Sequence, residues 1–332
     1  MRKAVNELKR KVLIGIAFAV AGLLLSLAPL AKQVSAEPLR VGVYRGVHSA
    51  LIYVADSEGF FRKHGVDVII KEYEAGVLAV NDLITDKVDI ATAAEFAFVF
   101  QSFKHRDLRM PATICTAFDH ELVVRKDRGI SQPQDLKGKR VAVVPGSQTE
   151  FFLYNYLIFN RIPSDSVRVV YRKPSEMVKA MADGTIDAAL WLPPYTTEME
   201  RQLGGKGARW PVQSGQDYYI ALFAKEGFLK RQPWTIERFL VALSDAEGFI
   251  TKYPDRARTI LSQRLKPADP FPWPLYRFQL QLTQDLLVLM EQEAKWAIRH
   301  NLVKSRQMPN YLDFLYFNAL DKVKPEAVSV VR

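Results

Sequence analysis

The sequence predicts an α/β protein of two lobes, because it contains the same series of elements twice. A strand-like run at residues 40–43 is followed by a glycine, a hydroxyl-bearing residue and a helical stretch, and residues 140–143 begin the same series. Further along, a helix and a turn end in residues 87–91 in the first copy and in residues 185–189 in the second. Each copy therefore reads as strand, helix, strand, helix, strand.

The alternation of strands with helices runs from residue 38 to residue 192. Strands separated by helices form mostly parallel sheets whose two faces are covered by those helices. Two such units on one chain predict two doubly wound lobes that face each other across a cleft. Ligands of open α/β sheets bind at the carboxyl ends of the strands, so the loops that follow the strands are the predicted binding site.

The first 36 residues have the composition of an export signal. A basic stretch through Lys11 precedes an apolar run at residues 12–31, and Val34, Ser35 and Ala36 form the predicted cleavage site. This pattern predicts a signal peptide at residues 1–36, cleaved after Ala36, and a periplasmic protein. The apolar run is also long enough to stay in the membrane as an uncleaved anchor, which is the alternative.

The net charge of +10 does not by itself predict a nucleic-acid-binding protein. The predicted signal peptide holds six basic residues and one acidic residue, so the rest of the chain carries a net charge of +5. That charge is spread out, with no basic run interleaved with aromatic residues. The single cysteine, Cys115, excludes an internal disulfide, and its apolar neighbours predict a small buried side chain.

The first lobe is predicted to be discontinuous in sequence. We expect residues 37–122 to begin this lobe, residues 123–213 to form the second lobe, and residues 214–332 to complete the first lobe and add C-terminal helices. These helices are predicted at residues 236–252, 254–263, 275–300 and 311–320.

Two apolar strand-like runs, at residues 122–124 and 218–224, are predicted to carry the chain between the lobes. We therefore expect a two-strand hinge with crossings near residues 122–127 and 212–222.

Three motifs resemble those of a known family. They read LIYVADSEGFFRKHGVDV at residues 51–68, DLKGKRVA at residues 135–142 and GTIDAA at residues 184–189. In this order, and with Gly146 and Ser147 after the second motif, they resemble the nitrate, sulfonate, taurine and thiamine-pyrimidine-precursor group of solute-binding proteins, the periplasmic components of ABC importers.

The resemblance implies a type II periplasmic-binding fold that closes on a small molecule, without a cofactor or metal ion. It implies as partners a small solute and an ABC permease in the cytoplasmic membrane, and a monomeric receptor. The ligand stays open among a sulfonate, a nitrate-like anion, and a nitrogenous heterocycle or amine.

The loop after the first strand holds four candidate binding residues, namely Tyr44, Arg45, His48 and Ser49. Backbone N–H groups at the start of the following helix favour an acceptor or a negative group, with which Arg45 or His48 can pair. The equivalent loop of the second lobe holds Ser147, Gln148 and Thr149, whose hydroxyl and amide groups can donate across the cleft. Ser49 and Thr149 have an equally simple alternative role as helix caps.

Five further candidates follow other strands. Glu95 follows the third strand of the first lobe and either accepts hydrogen bonds from a ligand or stabilises the start of its own helix. Trp191 and Tyr195 follow the matching strand of the second lobe, where they can stack on a planar ligand, although Trp191 can equally be a packing residue. Asp119 and Asp217 lie at the predicted crossings, where they line the cleft or tie the hinge.

The charges of the candidate binding residues exclude few classes of ligand. Glu95, Asp119 and Asp217 near one cleft repel an anion unless a cation such as Arg45 offsets them. A sulfonate or nitrate therefore fits no better than a neutral or cationic nitrogenous ligand.

An enzyme is the main alternative to a solute receptor. The five histidines are too scattered for a metal site, and the chain has no nucleophile-elbow motif or phosphate-binding Gly-Lys-Ser/Thr loop. A fungal relative of this fold makes the thiamine pyrimidine, but the export signal and the lone cysteine argue against that activity here. A membrane-tethered ligand sensor is the other alternative, if the apolar N-terminal run stays in the membrane. We therefore expect a receptor that is not an enzyme.

Overall fold

The computed structural model of the chain describes residues 37–213, 215–267 and 270–331. The predicted signal peptide and its cleavage site lie outside these residues. Within the described ranges, no helix is both long and apolar enough to cross a membrane.

The strands form a six-stranded and a five-stranded sheet, which we call, with their helices, the first and second lobes. The strands are β1 (Leu39–Tyr44), β2 (Val68–Tyr73), β3 (Ile90–Ala94), β4 (Leu108–Ala117), β5 (Glu121–Arg125), β6 (Arg140–Val143), β7 (Arg168–Tyr171), β8 (Ala188–Trp191), β9 (Gly207–Pro211), β10 (Tyr218–Lys225) and β11 (Tyr276–Arg277). The strand orders are β11-β4-β10-β3-β1-β2 and β7-β6-β8-β5-β9.

The two sheets repeat one order, which confirms the predicted two-lobed α/β fold. The series β2-β1-β3-β10-β4 in the first lobe corresponds to β7-β6-β8-β5-β9 in the second. The first three strands of each series are parallel, and the fourth is antiparallel to both of its neighbours. The sheets are therefore mixed and not mostly parallel, because the fourth strand of each enters directly from the other lobe.

The two crossings are residues 118–120, between β4 and β5, and residues 212–217, between β9 and β10. The first crossing precedes its predicted place at residues 122–127, because Leu122 and its neighbours already pair in the second sheet. The described residues from Pro38 onward pack as one compact unit, and the lobe boundaries drawn from the sequence stay a prediction.

Helices cover both sheets and extend the first lobe at the C-terminal end. They are α1 (Ala50–Ser57), α2 (Phe60–Lys63), α3 (Gly76–Ile84), α4 (Glu95–Ser102), α5 (Thr149–Phe159), α6 (Pro174–Ala182), α7 (Tyr195–Leu203), α8 (Glu226–Arg231), α9 (Pro233–Lys252), α10 (Pro254–Leu265), α11 (Gln284–Arg299) and α12 (Phe317–Val323). Cys115 is fully buried in β4, as predicted.

The C-terminal predictions need two corrections. The predicted helices at residues 236–252 and 254–263 are confirmed as α9 and α10. The helix predicted at residues 275–300 begins only at Gln284, because Tyr276 and Arg277 pair with β4 as the edge strand β11. The helix predicted at residues 311–320 is a short 3₁₀ turn, Tyr311–Phe314, followed by α12.

An arginine–aspartate clamp occurs at the same place in both lobes. The guanidinium of Arg40 bonds the Asp89 carboxylate through Nε (3.0 Å) and Nη2 (2.6 Å), and its backbone N–H donates to the same carboxylate (2.9 Å). Arg140 and Asp187 repeat these contacts at 3.0, 2.8 and 2.9 Å. Each clamp ties the start of the first strand to the residue before the third strand, so it stabilises the repeated unit itself.

We expect Asp187→Ala to lower the free energy of unfolding by about 1–3 kcal/mol, because it removes a bidentate charge-assisted pair and the acceptor of a backbone N–H. Hydrogen bonding to Arg140 holds the pKa of Asp187 below its ordinary value. The contribution is therefore present above about pH 4 and is lost as the pH falls through the folded-state pKa.

Urea denaturation at neutral and at acidic pH measures this effect. Asp165→Ala, which removes an exposed carboxylate of the same lobe, should change the free energy of unfolding by less than about 0.5 kcal/mol. Equal losses in the two variants at neutral pH would show that the clamp contributes nothing specific.

Candidate functional site

A small cavity lies between the lobes, at the carboxyl ends of the strands. Its volume is about 20 Å³, roughly the space that one water molecule requires. It is lined from the first lobe by Tyr44, Gly76, Val77, Ala94, Ala97 and Ile220, and from the second lobe by Ser147, Gln148, Trp191 and Leu192. Four of the predicted site residues, Tyr44, Ser147, Gln148 and Trp191, are thus brought together from the two lobes.

Small side chains form much of the first-lobe wall. Gly76, at the start of α3, lies so close to β3 that a Cβ there would approach the Ala93 Cα to 2.6 Å. Ala94 and Ala97 continue this wall at the end of β3 and in the first turn of α4. Because these side chains are small, a bound molecule can approach the backbone of the first lobe closely.

Two aromatic residues carry polar groups that are buried and unpaired. Tyr44 and Trp191 line the cavity from opposite lobes, and neither the Tyr44 hydroxyl nor the Trp191 Nε1–H has a hydrogen-bond partner within the described residues. A buried polar group without a partner costs about 1–3 kcal/mol, so each of these two groups keeps an unused hydrogen-bonding capacity. Burial raises the pKa of Tyr44, which therefore stays a neutral phenol.

Ser49 and Thr149 occupy equivalent positions in the two lobes. The side chain of each forms a hydrogen bond within its own loop. The Ser49 hydroxyl donates to the Tyr44 carbonyl (2.8 Å), and the Thr149 hydroxyl accepts from the Val144 N–H (3.2 Å). Neither side chain forms a helix-capping hydrogen bond, and neither residue lines the cavity. The structure therefore gives both residues a third role that the sequence did not suggest.

His48 and Asp119 belong to a buried hydrogen-bond network beside the crossings. Asp119 accepts from the Tyr218 hydroxyl (2.7 Å) and the Tyr276 hydroxyl (2.8 Å), and lies 3.0 Å from His48 Nε2. Since the Tyr218 hydroxyl donates to Asp119, its oxygen accepts from His48 Nε2 (2.7 Å), which therefore carries the proton. Neither His48 nor Asp119 lines the cavity.

The network keeps Asp119 ionised despite complete burial. Burial alone would raise its pKa, but the neighbouring His48 and the Tyr218 hydroxyl outweigh this effect and lower the pKa to about 2. A buried charge that accepts hydrogen bonds from the Tyr218 and Tyr276 hydroxyls and lies beside His48 is a structural tie between the segments that supply these groups. Of the two roles predicted for Asp119, the structure supports the hinge tie.

Glu95 is fully buried and points away from solvent into the contact between α4 and α11. Its Oε2 accepts from the Tyr219 backbone N–H (2.8 Å), and its carboxyl is hydrogen-bonded to that of Glu293. Burial raises the pKa of both carboxyls, and the proximity of Glu95 raises that of Glu293 further. Both carboxyls therefore keep their protons to a higher pH than exposed glutamates do. Glu95 joins β10 and α11 without lining the cavity.

The remaining candidates lie outside the cavity lining. Arg45 is exposed, and its Nε bonds Glu72 (3.1 Å). Asp217 pairs with Arg277, and Tyr195 begins α7 half-buried. Among the described residues, those that line the cavity therefore carry no formal charge.

Several lining residues were missed because their side chains give no chemical signal in a sequence. Gly76, Val77, Ala97, Leu192 and Ile220 are small or aliphatic, and they read as ordinary core or turn residues. Only the position of Gly76 after a strand could have indicated a close approach to a ligand.

His120, at the first crossing, is a further buried polar residue. Its ring packs between Phe152 (4.6 Å) and Tyr218 (4.5 Å), and neither ring nitrogen has a partner within the described ranges. Burial lowers its pKa to about 3, so the ring stays neutral.

Comparison with known proteins relates most of the chain to one family. The model of a family described as NMT1/THI5 like matches residues 47–257. A taurine-binding periplasmic protein of Escherichia coli strain K12 is 25% identical over 239 residues, which cover 70% of this chain and 72% of that protein.

Solved structures share the fold. The alkanesulfonate-binding protein SsuA of Xanthomonas axonopodis pv. citri, bound to MOPS, has a TM-score of 0.71 and 17% identity, covering 84% of this chain and 98% of that one. The desulfurization enzyme DSZB has a TM-score of 0.63 and 14% identity, covering 86% and 99%. At such identities the likeness concerns the fold alone, and it confirms the predicted periplasmic-binding-protein fold.

Proposed function

This chain belongs to the NMT1/THI5-like family, and from that premise we propose that it is the solute-binding component of an ABC importer. The observation that carries the proposal is the cavity at the strand ends, which both lobes line. A molecule bound there contacts both lobes, and only such a molecule shifts the balance between open and closed arrangements. The name of the taurine-binding relative supports the same role.

We place the receptor in the periplasm, with residues 1–36 removed after Ala36, and we propose that it delivers its solute to a permease as a monomer. The relative's name as a periplasmic protein supports this location. N-terminal sequencing of the exported protein tests the cleavage: a chain that starts at Glu37 supports it, and a chain that keeps the apolar run supports a tethered sensor.

We propose that the solute is uncharged at the end that enters the cavity. Burying a sulfonate or nitrate without a cationic partner costs far more than burying a neutral hydrogen-bonding group. The lining supplies a phenol from Tyr44, an indole N–H from Trp191 and an amide from Gln148, with no formal charge. A flat nitrogenous heterocycle that both donates and accepts hydrogen bonds matches the polar groups of this lining better than an anion does, and it can enter only when the lobes separate, since the cavity holds about 20 Å³.

We propose a binding role and not an enzymatic one. The histidine nearest to a buried carboxylate, His48, is held within the hinge network, and it does not line the cavity. Because DSZB shows that this fold also supports an enzyme, the test must ask whether the ligand is recovered intact.

The first test is a thermal-shift screen of residues 37–332 against pyrimidines, purines, polyamines, taurine, alkylsulfonates and nitrate. A ligand at one hundred times its dissociation constant should stabilise the fold by about 2.7 kcal/mol. We expect a heterocycle to give the shift. A shift with a sulfonate or nitrate would overturn the uncharged class and keep the receptor role, and chemical turnover of the ligand would overturn the receptor role.

We expect Trp191→Phe to weaken binding of that ligand about tenfold, since it keeps the ring and removes one hydrogen-bond donor. Titration calorimetry measures the change. Trp234→Phe is the matched control, because Trp234 is 72% exposed and lies outside the cavity lining. Equal affinity in both variants would remove Trp191 from the site.

A further inference from the structure

The edge strands β2 and β7 lie farthest from the crossings in their sheets. The crossings join the first sheet at β4 and β10, and β2 lies at the opposite edge. They join the second sheet at β5 and β9, and β7 lies at the opposite edge. A rotation of the lobes about the crossings therefore moves the loops after β2 and β7 farther apart than loops near the crossings.

One hydrogen bond joins these two loops across the cleft. Glu74, directly after β2, accepts through Oε2 from the backbone N–H of Ser175 (3.2 Å), in the first turn of helix α6, which follows β7. Pro174 begins α6 without an N–H, so the first N–H of the helix is that of Ser175, and it has no acceptor within the helix. A carboxylate is also favoured at the positive end of the helix dipole.

Two further observations place this part of the first lobe against the second lobe. Burial raises the pKa of Tyr195, at the start of α7, and the nearby carboxylate of Glu74 raises it further. Val77, close after Glu74, lines the cavity, and its Cγ2 lies 4.0 Å from the position of a Cβ built on Gly146 of the second lobe. The segment that carries Glu74 therefore contacts the second lobe and also forms a wall of the cavity.

The Glu74–Ser175 bond belongs to the closed arrangement of the lobes. The cavity between them holds only about 20 Å³, and Glu74 does not line it. When the lobes separate, water replaces both partners of the bond, so the bond contributes its net free energy to closure alone. A net hydrogen bond of ordinary strength changes such an equilibrium by about threefold to tenfold.

We propose that Glu74 is a positioning residue of the receptor, which favours the closed arrangement by bonding the start of α6 and does not touch the solute. The inference rests on the proposed function, in which the lobes open and close around a solute. A smaller closed population lowers the apparent affinity for a solute that bridges the lobes.

Double electron–electron resonance on the exported protein, purified without bound solute, measures the open and closed populations. Ile69→Cys on β2 and Val169→Cys on β7 provide the sites for spin labels, because these side chains are 54% and 44% exposed, whereas the native Cys115 is fully buried. We expect Glu74→Ala to lower the ratio of closed to open molecules about threefold to tenfold. Glu74→Gln, which keeps an acceptor oxygen, should lower this ratio less.

Glu176→Ala is the matched control. Glu176 lies in the same first turn of α6, but its Oε2 accepts from the Lys173 backbone N–H (3.1 Å) within the second lobe, so its loss should leave the two populations unchanged. Unchanged populations in Glu74→Ala, or an equal change in Glu74→Ala and Glu176→Ala, would overturn the proposal. The receptor role can survive that result, because the thermal-shift screen tests it separately.

Discussion

Glu293→Gln is expected to raise the melting temperature above about pH 7 and to flatten the pH dependence of stability. The gain should correspond to about 1–3 kcal/mol, the cost of an imperfectly satisfied buried polar group. For a chain of roughly 300 residues, each kcal/mol corresponds to about 1–2 °C in melting temperature.

The reason is that Glu95 and Glu293 keep their protons to a higher pH in the folded protein than in the unfolded chain. Burial raises the pKa of both carboxyls in the folded protein, whereas in the unfolded chain they lose their protons near about pH 4.3. Above that pH the folded state binds more protons than the unfolded state, so stability falls as the pH rises towards the folded-state pKa. Glutamine supplies a donor to Glu95 without a charge, so the variant escapes most of this loss.

Among the described residues, no ion pair is formed by either carboxyl. Glu95 receives the Tyr219 backbone N–H, and its Oε1 and the Oε2 of Glu293 have no hydrogen-bond partner there. Tyr311 lies near Glu293, but its hydroxyl bonds Ser102 (3.3 Å). Below their raised pKa values, the two carboxyls therefore stay protonated where α4 packs against α11.

Differential scanning fluorimetry between about pH 5 and pH 9 tests the prediction. Glu291→Gln is the matched control, because Glu291 lies on the same helix, is half-exposed and pairs weakly with Lys295 (3.6 Å). The melting temperature of Glu291→Gln should vary with pH in the same way as that of the unchanged protein. If the melting temperature of Glu293→Gln also varied with pH as that of the unchanged protein does, the folded protein would not raise the pKa of Glu293.

Asp119→Ala is expected to lower the free energy of unfolding by about 2–6 kcal/mol, because it leaves two buried hydroxyl donors unpaired at about 1–3 kcal/mol each. These are the hydroxyls of Tyr218 and Tyr276, and the change also removes the charge that lies 3.0 Å from His48 Nε2. These groups come from the loop after β1, from β10 and from β11, so the loss loosens three segments at once.

The comparison with Asp217→Ala makes the result specific. Asp217 lies at the other crossing, is partly exposed and pairs with Arg277. Its removal should cost less than about 1 kcal/mol, as expected of an exposed ion pair. Urea denaturation measures both values, and similar losses would contradict the central role of Asp119.

The contribution of Asp119 to the free energy of unfolding should decrease at low pH, as for any carboxyl whose pKa is lowered on folding. The pKa of Asp119 is lowered to about 2 in the folded protein, against about 3.9 when unfolded. Its contribution is therefore complete above about pH 4 and is lost as the pH falls towards 2. Asp119→Ala should lose less stability than the unchanged protein between neutral pH and about pH 3.

Local pattern determined the fold and the loops of the candidate site. The repeat predicted two α/β lobes, because strand and helix periodicity depends on neighbouring residues. The strand ends indicated which loops line the cavity, and Tyr44, Ser147, Gln148 and Trp191 lie there. The edge strand β11 was misread as helix, because pairing with β4 overrides local helical preference.

Tertiary structure alone decided which of the candidate polar residues remain available to a ligand. Arg45 pairs with Glu72 on the neighbouring strand β2, and Glu95 pairs with Glu293 from a helix far along the chain. Ser49 bonds its own loop instead of capping a helix or facing the cavity. A sequence shows which side chains can donate or accept hydrogen bonds or carry charge. Their partners are set by contacts between distant segments, and those contacts determine whether each group remains free to bind a ligand.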